Sequence, residues 1–324
     1  MPLRYDDEWR SAAGPTLEEQ GEILPVGDVA TRRSRFEALF VRYSFEVPDD
    51  LELHVHKVAS PDGYELEVFQ LSTKTHPRHT GQTTPAVLHV HGGGFIAVHA
   101  RNVLGSLVPF VRASGVPIFS VDYRWAPEHP FPTPVEDCWT ALQYLHQRAN
   151  QLNVDTARIA IMGESAGGGL AAGCAIVARD RKLTPALVKQ ILIYPMLDDR
   201  TDTDHSEGLA VFSINDVITG WQALLGDKYK ADDVSPSAVP ARITDVADLP
   251  ELYLDVGQLD IFLPEDMAYV NKFLAVGIQT EAHVYPGVIH AFQRWSPESQ
   301  VVKQAFANRL RAISTLWTSA EAEK

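Results

Sequence analysis

The chain has 324 residues, 45% hydrophobic and 22% charged, an ordinary globular composition with length for about two domains. Its 28 basic and 42 acidic residues give a net charge of −14, which argues against a nucleic-acid partner and an anionic membrane surface and points to a neutral or small substrate. The two cysteines, Cys138 and Cys174, sit in apolar helical patterns and make neither a disulfide framework nor a zinc site.

Residues 1–8 are acidic, with no apolar run of the signal-peptide kind. No window approaches the ~20 apolar residues of a membrane span, and the last three residues match no retention signal. A cytoplasmic protein is expected. The first fifty residues read as helical and irregular, with Phe36, Leu39, Phe40 and Tyr43 on one helical face. Leu51 to Val58 then alternates apolar with polar, and Pro61-Asp62-Gly63 turns the chain into a returning strand, Tyr64 to Leu71.

From residue 85 onward strands and helices alternate. Strands are expected over 86–90, 116–121, 159–162, 187–194, 252–256 and 280–285. Helices are expected over 102–113, 135–149, 166–178, 265–276 and 301–318. Such alternation predicts an α/β fold with a mostly parallel central sheet and helices on both faces. Residues 197–249 interrupt it, with a helix capped at Asn215-Asp216 and carrying Val217, Trp221 and Leu224. This stretch reads as a helical lid, joined in space by the N-terminal helices. The division is therefore 1–50 and 197–249 as the two parts of a cap, with 51–196 and 250–324 as the core.

Gly163-Glu164-Ser165-Ala166-Gly167 lies between a strand and a helix, the context that a G-x-S-x-G nucleophile turn requires. The turn would lift the Ser165 hydroxyl above the sheet at the positive end of a helix. A second cluster, His91-Gly92-Gly93-Gly94-Phe95, follows the strand 86–90. Successive glycines let backbone N–H groups converge on one point, as an oxyanion hole demands. The donors are assigned to Gly93, Gly94 and Ala166. His91 reads as a structural hydrogen-bonding residue.

These two clusters, with Asp122-Tyr123-Arg124-Trp125-Ala126-Pro127-Glu128-His129-Pro130 between them, resemble the hormone-sensitive-lipase-like (family IV) carboxylesterases of the α/β-hydrolase superfamily. The resemblance covers roughly residues 85 to 295. It implies an α/β-hydrolase fold with a helical cap, hydrolysis of carboxylic esters of short or medium acyl chain, and no cofactor. It also implies a homodimer as one state, paired through the last strand and helix. Arg124 and Glu128 are expected to form a loop-holding ion pair.

The superfamily's chain order of serine, acid, histidine places the base after the last strand. His290, in Gly287-Val288-Ile289-His290-Ala291-Phe292, fits there and resembles the family's His-x-Phe segment, whereas His283 lies inside a strand. Asp198, Asp199, Asp255 and Asp260 are the acids at strand ends. Asp260 lies in a loop from which a carboxylate can reach an imidazole, and it matches the family's aspartate, although Asp260-Ile261-Phe262-Leu263-Pro264-Glu265 departs from the usual Asp-x-Leu-x-Asp-Glu. His54 and His56 share one strand face with no third metal ligand in view.

The expected enzyme is a serine esterase acting through Ser165, His290 and Asp260, with no metal. Phe40, Phe95, Phe212 and Trp221 are expected to line an apolar pocket for a small ester. An acyltransferase or lactone hydrolase would use the same residues, and plant gibberellin receptors resemble the family but lack the histidine. The presence of His290 counts against a receptor.

Overall fold

The computed structural model describes residues 2–18, 22–41, 45–75, 83–206, 208–210 and 212–318. Two helices, α1 (Asp7–Glu18) and α2 (Val29–Val41), precede the sheet. The hairpin of β1 (Leu51–Ala59) and β2 (Glu65–Thr73) turns at Gly63, whose φ of 86° suits a residue without a side chain. β3 (Thr84–Val90), α3 (Ala100–Ser114), β4 (Ile118–Val121), α4 (Thr133–Gln147), the single turn α5 (Ala149–Leu152) and β5 (Val154–Glu164) follow. Next come α6 (Ala166–Asp180), β6 (Lys189–Ile193), α7 (Ile214–Leu225), β7 (Glu251–Gly257), α8 (Leu263–Val276), β8 (Thr280–Tyr285) and α9 (Gln300–Ser314).

Among the described residues eight strands form one sheet in the order β1-β2-β4-β3-β5-β6-β7-β8. β2 runs antiparallel to β1 and β4, and every pairing from β4 through β8 is parallel. All seven residues of β3 are buried, as they must be in a strand covered on both faces.

The topology dictates where a site can form. The crossover β3–α3–β4 runs towards the hairpin edge, whereas β4–α4–β5 and β5–α6–β6 run the other way. Right-handed crossovers of opposite direction lie on opposite faces. Accordingly α3 packs on α9, with the rings of Phe110 and Phe306 4.7 Å apart, while α4 packs on α6. The direction reverses at β3 and β5, which opens a crevice beyond their carboxyl ends. The glycine cluster leaves β3 there, and Ser165 leaves β5.

The helix between β6 and β7 starts just before Asn215-Asp216, neither of which is its N-cap. Its cap is Ser213, whose hydroxyl accepts from the Asp216 N–H while the Asp216 carboxylate takes the Ser213 N–H at 3.0 Å. Asp216 is thus the third residue of the first turn. α2 is tied to this helix, with Arg32 Nε donating to Asp216 Oδ1 at 2.7 Å. α1 instead docks on the core beside the loop after β8, where the Trp9 indole N–H donates to Phe292 O at 2.9 Å. Among the described residues no helix is long and apolar enough to cross a membrane.

Candidate active site

Ser165 ends β5 and heads α6 with φ 56° and ψ −125°. A side-chain-bearing residue held there stores of order 1–3 kcal/mol of strain. Its surroundings hold it on both sides. Its N–H donates to Ile193 O at 3.0 Å, and its carbonyl accepts from Met196 at 2.9 Å and Gly169 at 3.1 Å.

The loop after β8 brings His290 onto the serine. His290 Nε2 lies 2.9 Å from Ser165 Oγ, and Nδ1 lies 2.8 Å from Asp260 Oδ2. A carboxylate only accepts, so Nδ1–H is the donor and Nε2 is left to accept the serine proton. The other oxygen of Asp260, fully buried, accepts from the Phe262 N–H at 3.0 Å. The two loops are joined by the Leu259 N–H donating to Val288 O at 2.9 Å. Aromatic rings enclose the imidazole: Tyr194 at 4.7 Å, Phe262 at 5.2 Å and Phe212 at 5.3 Å between centroids.

Gly93 and Gly94 take φ of 131° and 61°, conformations that side chains resist. A Cβ on Gly93 would sit 2.0 Å from Ala97 O. Among the described residues no hydrogen bond takes the N–H groups of Gly93, Gly94 or Ala166. His91 is fully buried, stacked on Tyr123 at 4.3 Å, and its Nδ1–H donates to Gly92 O at 2.8 Å. Burial, outweighing the pull of Asp122, pushes His91 down to about 4, so the ring stays neutral.

The other carboxylates are otherwise engaged. Asp255 receives Arg309 through both oxygens at 2.7 Å and the Tyr253 hydroxyl at 2.8 Å. Asp199 receives Arg242 at 2.7 Å, and Asp198 pairs with Arg200 at 2.7 Å. His283 contacts Glu281 within β8, and His56 contacts Gln70 and Tyr144. Among the described residues no three His, Cys, Asp or Glu side chains gather as a metal site.

Two expectations need correction. Arg124 does not pair with Glu128; it grips Asp137 at 2.7 Å and Asp62 at 2.6 Å, while Glu128 pairs with Arg33 of α2. Phe95 and Trp221 line no open pocket. They are fully buried with rings 5.0 Å apart, because α7 lies against the glycine loop: a Cβ on Gly220 would fall 2.7 Å from Gly94 O. The side chain of Phe40 lies outside the described residues. Phe212 does face the site, bordering a cavity of about 210 Å³ with apolar Leu24, Phe36, Leu39 and Gly94 and charged Arg32, Arg35 and Asp216. A second cavity of about 330 Å³ lies by Arg179 and Arg181, at the opposite end of α6. Fifteen residues of helix put it roughly 22 Å from Ser165.

Some contributors carried no signal in the sequence. Tyr194 reads as the last residue of a strand, yet its ring forms one wall around His290. Glu164, beside the serine, lies 2.8 Å from His89 Nε2, and His89 Nδ1 contacts Ser120 at 2.8 Å. Burial works to raise the Glu164 carboxyl, but His89 holds it below the usual range.

Known proteins share this arrangement of elements. The family described as alpha/beta hydrolase fold matches residues 87–294. Esterase LipI of Mycobacterium tuberculosis (strain ATCC 25618 / H37Rv) is 34% identical over 214 residues, 64% of this chain and 65% of that protein, just under two thirds of its length. Carboxylesterase NlhH of the same organism is 30% identical over 237 residues, 71% of this chain and 73% of that one. Among solved structures, Bacterial Heroin Esterase superposes with a TM-score of 0.87 at 31% identity, covering 96% of this chain and 98% of its own. By its strand order, its matched family and its likeness to these esterases over most of its length, the chain belongs to the α/β-hydrolase fold family, within the hormone-sensitive-lipase-like, family IV carboxylesterases.

Proposed function

We propose that this protein hydrolyses small neutral carboxylic esters of short or medium acyl chain through an acyl-enzyme on Ser165. The observation that carries the reading is the unbroken relay from Asp260 Oδ2 to His290 Nδ1 at 2.8 Å and from Nε2 to Ser165 Oγ at 2.9 Å. Ser165 Oγ attacks the ester carbonyl as His290 Nε2 takes its proton. The oxyanion is received by the N–H groups of Gly93, Gly94 and Ala166. His290 returns the proton to the departing alcohol, then activates the water that cleaves the acyl-enzyme. Asp260 holds the imidazole tautomer throughout.

Of the segments 1–50 and 197–249, read as the two parts of a cap, α2 and α7 act as that cap, joined through Arg32 and Asp216, while α1 rests on the core. The cavity beside Gly94 and Phe212 receives one arm of the ester. Its size suits a short chain. The complete relay also favours an enzyme over a ligand-binding receptor.

The test is hydrolysis of p-nitrophenyl butyrate with labelling by a fluorophosphonate. Wild type should turn over the ester and take the label, and Ser165→Ala should do neither while melting like the parent. Turnover by Ser165→Ala at the wild-type rate would refute the reading. A series of acyl lengths and lactones, with and without alcohol acceptors, separates hydrolysis from acyl transfer and lactone opening.

A further inference from the structure

Two consecutive arginines on α2 face opposite ways. Arg32 serves the helices around it. It donates to Asp216 of α7 at 2.7 Å and to the carbonyls of Pro25, Asp28 and Leu24 at 2.9, 3.0 and 3.3 Å. Arg33 turns to the core. Its Nε donates to Ile96 O at 2.7 Å and its Nη2 to Ala126 O at 3.0 Å. Its fork takes both oxygens of Glu128 at 2.8 and 2.6 Å, and its plane lies 5.4 Å from the Trp125 ring.

The two carbonyls are the informative contacts. Glu128 is 56% exposed, and an ion pair that open adds little to stability. Ile96, by contrast, closes the turn that carries Gly93 and Gly94: the N–H groups of Ile96 and Ala97 both donate to Gly93 O at 3.1 Å. Ala126 donates its own N–H to Phe95 O at 3.0 Å, so Ala126 and Ile96 bracket the end of the same turn. A run of three glycines has more backbone freedom than any other sequence and needs restraint from outside itself. A planar guanidinium with five donors in a rigid fork supplies it at two carbonyls at once.

We propose that Arg33 is a positioning residue for the oxyanion hole: it couples the seating of α2 over the site to the placing of the Gly93 and Gly94 N–H groups. Substrate enclosure and oxyanion stabilisation are then one event, since α2 cannot lift without releasing Ile96 O. The proposal rests on the reading of Ser165 as an esterase nucleophile. Arg32 is the internal control for the turn. It anchors the same helix and, with Asp216, borders the proposed ester cavity, but makes no hydrogen bond to the glycine turn, so its loss moves KM and not the turn.

Arg33→Gln, Arg33→Lys and Arg32→Gln are compared in the full chain on p-nitrophenyl butyrate, with amide hydrogen exchange of the 92–97 segment read by mass spectrometry. Arg33→Gln should lower kcat about 10- to 100-fold with KM within threefold, the range for a displaced oxyanion donor. Arg33→Lys should restore only part of it, since an ammonium lacks the fork. Exchange at 92–97 should quicken in Arg33→Gln alone, and Arg32→Gln should show its effect in KM or melting temperature. Should Arg33→Gln not fold, Arg33→Lys carries the test: it keeps the charge and loses the fork that holds both carbonyls. Its kcat should then fall and its exchange at 92–97 quicken, and no change in either overturns the proposal. Unchanged kcat, or the same KM-only change in both arginine variants, overturns the proposal, as does unaltered exchange. An inert wild type would fail the esterase reading instead, and the exchange measurement would still decide whether Arg33 restrains the turn.

Discussion

A side chain on Gly167 would place its Cβ 2.3 Å from the carbonyl oxygen of His91. The first turn of the nucleophile helix and the end of β3 therefore meet backbone to backbone. In the proposed mechanism that contact is what sets the Ala166 N–H against the glycine turn that follows β3. Gly167→Ala should push the two apart, destabilising the fold by about 3 kcal/mol or more and lowering ester turnover at least ~100-fold. A thermal melt and an ester assay on the purified variant check both effects.

The two aspartates nearest the end of β7 should separate cleanly. Asp260→Asn leaves His290 without the acceptor that fixes its tautomer, and kcat should fall by about 10⁴ with the melt little changed. Asp255→Asn should act on stability, because it leaves the buried Arg309 uncompensated. Breaking such a pair costs about 3–5 kcal/mol. Steady-state kinetics and denaturant unfolding of both variants distinguish them. Equal losses of kcat would contradict the assignment.

Phe212 and Trp221 should likewise part company. Phe212 is half-buried at the cavity beside His290. Phe212→Ala should change KM across an acyl-length series with a small stability loss. Trp221 is fully buried against Phe95. Trp221→Ala should destabilise by about 3–5 kcal/mol, measured by urea unfolding.

Stability should depend on pH through Glu265. Burial pushes its carboxyl up from 4.5 to about 8, against the lowering effect of Thr201 and the N–H groups of Leu197 and Asp198. Between about pH 4.5 and 8 the folded chain holds a proton that the unfolded chain has released. Stability should therefore decline as pH rises across that window and level off above it. Asp266, buried with neither carboxyl oxygen partnered, is raised in the same direction and adds to the slope. Glu265→Gln keeps an acceptor for the two N–H groups and has no proton to lose. Its melting temperature should fall less than that of wild type from pH 5 to pH 8.

Most of the fold was legible because strand and helix patterns are local. The strands and the helices between them follow from short apolar runs and glycine turns, whereas the order of the strands in the sheet is set by how the helices pack on it. The charged pairs were not legible. Arg124 and Glu128 sit four residues apart and invite pairing, yet Arg124 reaches Asp137 and Asp62 while Glu128 reaches Arg33. Which charges meet depends on which loops meet.

The sequence by itself determined that a strained serine turn, a glycine-rich turn and a terminal histidine loop would lie at one end of a parallel sheet. Each is a backbone feature written in a handful of adjacent residues, and parallel strands put all such loops on the same edge. Asp260 as the partner of His290 was already legible in its loop position and the family resemblance; only the tertiary structure decided which aromatic rings are buried behind the glycine turn. It also decided that an arginine from α2 holds that turn. These depend on contacts between residues as far apart in the chain as Phe95 and Trp221, where packing of whole elements, and not local pattern, selects the partner.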